Sequence, residues 1–175
     1  MSDAGRFESL VLPWLDAAYN LARWLLRDEA AAEDVVQDAA LRALRHLGSL
    51  RGEARPWFLA IVRNACFDHV QARRGRREQG GWEDEALEAL QWQSGQAGAD
   101  AASALQGTRE RVQIDAAIRS LAPALREVVV LREIEGLDYA EIAQVAGLPI
   151  GTVMSRLARA RTRLRELLEQ AGVRP

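Results

Sequence analysis

The stretch LDYAEIAQVAGLPIGTVMSRLARARTRLREL, residues 137–167, decides the fold class of this chain. Asp138, followed three residues later by Glu141, has the pattern of a capping box, which starts a helix by satisfying free backbone N–H groups. Gly147 then ends this helix after about two turns, because glycine readily takes the left-handed conformation that closes helices. Pro149 or Ile150 starts a longer helix that is rich in arginine. This arrangement is typical of a helix-turn-helix.

The longer helix carries residue types that bind duplex DNA. Val153, Leu157 and Leu164 fall on one apolar face, so the polar and cationic side chains lie on the remaining surface. Residues near the start of such a helix reach base edges in the major groove, while flanking positive charges meet phosphates. An arginine such as Arg159 can make a bidentate contact to guanine, worth about 1–3 kcal/mol of discrimination. The candidate DNA-binding residues of this helix are Thr152, Met154, Ser155, Arg156, Arg159 and Arg161.

Helical patterns also fill the rest of the chain on either side of a central segment. An apolar stripe from Leu10 to Leu25 predicts one helix, with Pro13 in its first turn or at a kink. A second helix runs from about Ala30 to His46 with Asp28 as its cap, and Pro56 opens a third. The second helix is expected to bury Val35, Val36, Ala39, Ala40, Ala43, Leu44 and Leu47.

Two further helices are predicted before the helix-turn-helix. One of them carries Ile114 and Ile118 at helical spacing. Residues 128–131, Val-Val-Val-Leu, read alone favour a strand because valine is β-branched. The span from Pro123 to Glu135 nevertheless favours a helix, since proline stands at its start and Gly136 just past its end.

The segment between these helical parts has a different composition. Residues 75–107 are rich in Gly, Ala, Ser and Gln and include an acidic block from Glu78 to Asp100 that contains no basic residue. A stretch of roughly thirty such residues is longer than ordinary loops and is typical of a functional or disordered connector. The sequence therefore predicts an all-α protein of two small helical domains joined by a flexible linker.

Charge is strongly zoned along the 175 residues. The chain holds 25 acidic and 23 basic side chains, all of the latter arginine, for a net charge of −2. Asp28 to Asp38 contains five acids and no base, whereas Arg73–Arg77 and Arg156–Arg165 are cationic. A balanced total argues against a generally basic nucleic-acid binder. The zoning instead indicates separate acidic and basic contact surfaces, although any one cluster could simply solvate a helix.

Several function classes find no support in the sequence. No apolar run approaches the ~20 residues that span a bilayer, and the N-terminus lacks the pattern of a secretory signal, so a cytoplasmic protein without membrane insertion is expected. Cys66 and His69 lie three residues apart, but a metal site needs more ligands. No glycine-rich phosphate loop and no nucleophile–base pair is found. We expect no catalytic residues, no metal, no cofactor and no small-molecule substrate.

Three stretches resemble one known family. Residues 131–168, LREIEGLDYAEIAQVAGLPIGTVMSRLARARTRLRELL, are similar to the C-terminal DNA-binding domain of extracytoplasmic-function (ECF) sigma factors of bacterial RNA polymerase. Residues 19–47, YNLARWLLRDEAAAEDVVQDAALRALRHL, and 54–77, ARPWFLAIVRNACFDHVQARRGRR, are similar to the motif-bearing parts of that family's N-terminal domain. The resemblance implies sigma region 2 over residues 7–77, an acidic linker over 78–108 and sigma region 4 over 109–171.

The resemblance also implies partners and site residues. Core RNA polymerase would dock on the acidic second helix, through Glu33, Asp34, Gln37 and Asp38. Region 2 would open the promoter's −10 element and bind its single strand, for which the candidates are Arg51, Arg55, Arg63, Asn64, Arg73 and Arg74. The helix-turn-helix residues named above would contact the −35 element. An anti-sigma factor that masks the protein is a further implied partner.

Departures and rival interpretations remain at this point. Met154 stands where many relatives carry a basic residue, and Ala158 where the residue is often larger, which leaves the −35 preference open. Trp57 and Phe58 could stack on a base, but aromatics at helical spacing are more often core. An ordinary helix-turn-helix regulator could use the same C-terminal domain. A sigma mimic that titrates an anti-sigma factor would need no DNA-reading surface.

Overall fold

The computed structural model describes residues 3–74 and 109–173, and its regular elements in these ranges are all helical. The N-terminal half contains α1 (Asp3–Leu10), α2 (Leu15–Leu26), α3 (Glu29–Arg45) and α4 (Ala54–Arg74). The C-terminal half contains α5 (Arg109–Ser120), α6 (Pro123–Val129, continued as a π-helix over Val130–Ile134), α7 (Tyr139–Ala146) and α8 (Ile150–Gln170). The predicted all-α fold of two helical domains is confirmed. The linker predicted over 78–108 lies outside the described residues.

The N-terminal domain is built on a bundle of α2, α3 and α4, which pack against one another. Pro13 lies in a short 3-10 turn, Leu12–Trp14, which separates α1 from α2. Thus two helices share the stripe predicted from Leu10 to Leu25. Asp28 caps α3 as predicted, because its carboxylate accepts a hydrogen bond from the Ala31 amide at 3.0 Å. Phe58, near the N-terminal end of α4, is fully buried.

The C-terminal domain follows the predicted helix-turn-helix closely. The Asp138 carboxylate accepts from the Glu141 amide and the Glu141 carboxylate accepts from the Asp138 amide, both at 2.8 Å. Gly147 ends α7 with φ +65°, and α8 begins directly after Pro149. Pro123 starts α6, which is helical to Ile134. The preference for a helix over a strand in this span is confirmed.

The two domains pack directly on each other. Helix α7 lies against α4, and α6 lies against α2. A single cluster of buried side chains runs through both domains and includes Leu21 and Val62 on one side and Val128 and Ile142 on the other. Among the described residues no helix is long and apolar enough to cross a membrane.

One part of the predicted core is wrong. Leu44 is 40% exposed, and Ala40 is only half-buried. The buried face of α3 is centred on Ala39 and Ala43, and the helices that cover it lie on that side alone. Leu44, one position past Ala43, is rotated about 100° away from the centre of this face. Leu59 of α4, which the sequence pattern did not single out, is fully buried.

Candidate functional site

Helix α8 presents most of the predicted DNA-binding residues to solvent. Its inner face buries Val153, Leu157 and Ala160 against the other helices of the domain. The opposite surface exposes Met154, Ser155, Arg159 and Arg161, while Thr152 and Arg156 are half-buried. The six residues therefore lie on one helix, and four of them are exposed.

The arginines of α8 differ in what they already bind. Arg161 donates to the Glu133 carboxylate at 2.8 Å, and this hydrogen bond is the largest of the effects that raise the pKa of Arg161. Arg163 pairs with Glu166 one turn further along, at 2.9 Å. Arg159, in contrast, pairs with no carboxylate within residues 3–74 and 109–173. Its guanidinium keeps all five donors available, as a base-reading arginine requires.

Helix α3 carries the predicted polymerase-docking residues on its outer face. Glu33, Asp34, Gln37 and Asp38 are all exposed. Asp38 is bound to Arg42 at 2.7 Å, and Arg42 also binds Asp68 of α4 at 2.7 Å. Leu41 is 54% exposed beside this acidic face. Leu41 is an apolar residue outside the buried stripe of α3, and it was not among the predicted site residues.

The predicted −10 residues are spread along α4 and the loop before it. Arg51 is exposed and donates to two carbonyl oxygens of its own loop, those of Gly48 and Leu50, each at 3.0 Å. Asn64 is exposed on the outer surface of α4. Arg73 is exposed and lies 3.7 Å from the Asp28 carboxylate. Arg74 is the last residue of α4, and its side chain lies outside the described residues.

Arg55 and Arg63 are instead engaged by the C-terminal domain. The Arg55 guanidinium donates to the main-chain oxygen of Glu135 and lies over the Trp14 ring, 5.4 Å from its centroid. The Arg63 guanidinium donates from Nε to the Glu127 carboxylate, with a second, longer contact from Nη2 to Oε2 at 3.4 Å. Sequence analysis did not identify Glu127, since a glutamate on a helix is most often solvated.

Burial around this ion pair shifts the ionisation of its neighbours. Complete burial raises the pKa of Glu127, and the positive charge of Arg63 opposes that rise. Burial is also the main reason that the pKa of Cys66 rises to about 12, with a further contribution from the Glu127 carboxylate. Burial, followed by the nearby charges of Arg27 and Arg119, lowers the pKa of Arg126 to about 10.

Two aromatic residues of α4 lie in or against the core, as aromatics at helical spacing most often do. Phe58 is fully buried, and Trp57 is half-buried and packs on the same core. Within the described ranges no group of three or more His, Cys, Asp or Glu side chains could hold a metal ion.

Family comparisons match both domains. The family model described as "Sigma-70 region 2" matches residues 10–76, and "Sigma-70, region 4" matches residues 111–164. A probable RNA polymerase sigma-C factor of Mycobacterium bovis is 35% identical over 142 residues, which cover 79% of this chain and 71% of that protein. The ECF RNA polymerase sigma-E factor of Escherichia coli is 39% identical over 133 residues, 73% of this chain and 69% of that one. The chain belongs to the ECF sigma factors.

Solved structures agree with this membership. The chain resembles the sigma factor RpoE of Bartonella quintana, solved in complex with the anti-sigma factor NepR, with a TM-score of 0.69 at 25% identity over 94% of this chain and 97% of that one. It also resembles CnrH, solved with the cytosolic domain of CnrY, with a TM-score of 0.65 at 28% identity over 94% of this chain and 88% of that one. We therefore call the N-terminal domain region 2 and the C-terminal domain region 4.

Membership confirms the predicted family and function. An ECF sigma factor binds core RNA polymerase and promoter DNA and directs transcription initiation. Sigma factors are initiation factors and, as a family, not enzymes. The predicted helix-turn-helix DNA-binding domain corresponds to region 4.

Proposed function

We propose a division of labour among named residues of this sigma factor. Region 2, residues 7–77, docks on core polymerase through the outer face of α3 and binds the −10 strand along α4. Region 4, residues 109–171, binds the −35 element through α8, and residues 78–108 connect the two. The docking residues are Glu33, Asp34, Gln37 and Asp38. The −10 residues are Arg51, Arg55, Arg63, Asn64, Arg73 and Arg74, and the −35 residues are Thr152, Met154, Ser155, Arg156, Arg159 and Arg161.

The observation that carries this proposal is the exposure of two chemically opposite surfaces on the two domains. The α3 face offers carboxylate and amide acceptors, which suit a cationic protein surface. The α8 surface offers guanidinium donors and small hydroxyl groups, which suit phosphates and base edges. The exposed side chains of these surfaces, the four of α3 and Met154, Ser155, Arg159 and Arg161 of α8, lie outside the core that joins the domains, so both surfaces can be occupied at once.

The remaining assignments concern regulation and location. We infer that an anti-sigma protein binds this chain, because its structural relative RpoE was solved in complex with the anti-sigma factor NepR. We further infer that the protein acts in the cytoplasm, where core polymerase and promoter DNA are found. It supplies recognition, and the polymerase makes the phosphodiester bonds.

Run-off transcription tests the docking assignment. Purified chain and core RNA polymerase are incubated with a genomic promoter pool, and specific transcripts are counted. The double variant Asp34→Arg, Asp38→Arg places positive charge on the α3 face and is expected to weaken association with core by at least about tenfold. Asp16→Arg, at an exposed acid on α2, is the matched control and is expected to retain both association and transcripts.

The outcomes separate the proposal from its rivals. Promoter-dependent transcripts that vanish with the α3 variant support it. Undiminished association of the double variant with core would refute the docking assignment. A plain helix-turn-helix regulator or a sigma mimic would give no specific transcripts with core polymerase, even though the first of these would still bind duplex DNA.

A further inference from the structure

Region 4 covers part of the region 2 surface assigned to the −10 strand. Helix α7, the first helix of the helix-turn-helix, packs on α4. From the neighbouring helix α6, Glu127 reaches Arg63 at the centre of α4. The Glu127 side chain is 1% exposed and that of Arg63 is 14% exposed. An inward-facing carboxylate of region 4 thus binds a guanidinium that the proposed function gives to DNA.

The geometry at Arg63 is that of an anion held by an arginine fork. Two nitrogens of the guanidinium, Nε and Nη2, face the two oxygens of one carboxylate. The same pair of donors binds a phosphate in protein–DNA contacts. Glu127 therefore stands in the place that a phosphate of the DNA strand would take on Arg63. Both anions cannot occupy it together.

A second arginine of α4 is occupied in the same way. Arg55 donates to the main-chain oxygen of Glu135, at the end of the π-helical segment that follows α6. Carbonyl oxygens at a helix end carry partial negative charge, so this contact also satisfies a cation that DNA would otherwise bind. Arg51 and Asn64 stay exposed, which limits the occlusion to the part of α4 that lies under region 4.

Region 4 is held in this position by directed contacts as well as by apolar packing. Arg126, next to Glu127, is 2% exposed and donates to the Trp24 carbonyl oxygen of α2 at 3.2 Å. Arg119 lies over the Trp24 ring, 5.4 Å from its centroid. Neighbouring residues of α6 therefore fasten region 4 to two different helices of region 2, α2 through Arg126 and α4 through Glu127.

We propose that region 4 is an internal competitor for the −10 strand, with the Glu127 carboxylate occupying the phosphate position on Arg63. This inference depends on the proposed function, because it takes Arg63 as a DNA contact. A buried carboxylate that loses the cation bound to it is strongly destabilised, so Arg63 can turn to DNA only if region 4 moves away. The α3 face stays exposed while the domains are packed, so polymerase can dock before this movement.

The test measures single-stranded DNA binding by the free, full-length chain. A fluorescein-labelled random-sequence 20-mer is titrated at low salt, and anisotropy gives Kd. Glu127→Gln removes the competing charge and is expected to lower Kd about tenfold. A change of this size results if region 4 is displaced in about one wild-type chain in ten and in nearly all chains of the variant. Glu110→Gln, at an exposed glutamate of α5, is the matched control and should leave Kd unchanged. Adding Arg63→Ala to Glu127→Gln should abolish the gain.

Small-angle scattering supplies a second measurement that needs no variant. Saturating the wild-type chain with the same 20-mer should increase the radius of gyration of the protein, because binding and opening are linked. If Glu127→Gln fails to fold, this change in the radius of gyration tests the proposal by itself. Three results would each overturn the inference. The first is an unchanged Kd for folded Glu127→Gln, the second is a tighter Kd that persists when Arg63→Ala is added, and the third is an unchanged radius of gyration with DNA bound. Run-off transcription by the wild type would still stand in all three cases, so the two proposals fail separately.

Discussion

Arginine supplies all 23 basic side chains of this protein, and its guanidinium serves two different purposes. Between the domains, Arg63 and Arg126 are largely buried and donate to a carboxylate and to main-chain oxygens. On α8, Arg159 is exposed and pairs with no carboxylate in the described part of the chain. The planar, permanently charged fork suits both purposes, whereas the compact ammonium of lysine suits the buried one poorly.

Arg159→Ala tests the proposed DNA contact of the exposed arginine on α8. The substitution is expected to cost about 1–3 kcal/mol of promoter discrimination, because it removes a possible bidentate contact to guanine. Transcription from a −35-dependent promoter recovered with the wild type should fall roughly five- to 150-fold, measured by run-off at limiting protein. Arg165→Ala, further along α8, should have a much smaller effect, and both variants should bind core polymerase normally. Equal transcription from wild type and Arg159→Ala would remove this role.

Burial of the Cys66 thiol makes its contribution to folding stability depend on pH. Its pKa rises to about 12 in the folded chain, against 9.0 for an ordinary thiol. Between pH 9 and 12 the unfolded chain releases this proton and the folded chain keeps it, so the thiol's contribution to folding stability falls as pH rises through that window. Iodoacetamide should label Cys66 slowly at pH 8 in native buffer and rapidly in guanidinium chloride, as read by mass spectrometry. Rapid native labelling would contradict the burial of this thiol.

At the scale of elements, helix ends are where sequence and structure agree most closely. Asp138 and Glu141 satisfy each other's amides at the start of α7, and Gly136 and Gly147 both adopt positive φ at helix ends. These features depend on residues within four positions of one another, so their pattern is complete in the sequence. Helix α6 differs, because its last turn widens to a π-helix over Val130–Ile134, a change for which no local pattern gave warning.

Asp138→Ala tests the capping box. Loss of the side-chain acceptor leaves the Glu141 amide without its partner and is expected to lower the free energy of unfolding by about 1 kcal/mol. Urea denaturation followed by circular dichroism at 222 nm measures the change. Asp138→Asn keeps an acceptor oxygen and should cost much less. Equal losses for Ala and Asn would show that the carboxylate acts by charge rather than as a cap.

At the scale of the whole molecule, the two regions share one core and should unfold together. The buried cluster is continuous across them, and Arg126 donates to oxygens on both sides, those of Trp24 in α2 and Leu121 in region 4. A continuous core favours a single cooperative transition. The proposed competition between region 4 and DNA also belongs to this scale. Its open form is a minor population of the free chain, about one molecule in ten, so the packed form dominates the unfolding transition.

Arg126→Met tests this cooperativity. The thioether fills part of the space but donates no hydrogen bond, and leaving buried carbonyl oxygens unpaired costs about 1–3 kcal/mol each. Calorimetry should show one transition for the wild type and a lower, broadened or divided transition for the variant. Arg132→Met, at an arginine that binds only within region 4 through the Leu137 oxygen, should lower the transition while keeping it single. A divided transition in the wild type would contradict a shared core.

The α3 and α8 parts of the candidate site could be predicted from the sequence because most of their residues face solvent. The acidic residues of α3 and the arginines of α8 lie opposite apolar stripes with helical spacing, and that spacing alone places them outside. The prediction was wrong at Leu44 because the apolar stripe does not show how far around α3 the neighbouring helices extend.

The chain's own residues determined its helices, their caps, the helix-turn-helix and the family to which it belongs, because each of these depends on neighbours a few positions apart. Only the tertiary structure decided that Arg63 meets Glu127, 64 positions away, and that Arg126 reaches Trp24, 102 positions away. Periodicity assigns a charged side chain to a surface, but it does not say which surface another domain covers. Docking of region 4 on region 2 buries these charges, and their pairing is a property of the assembled chain.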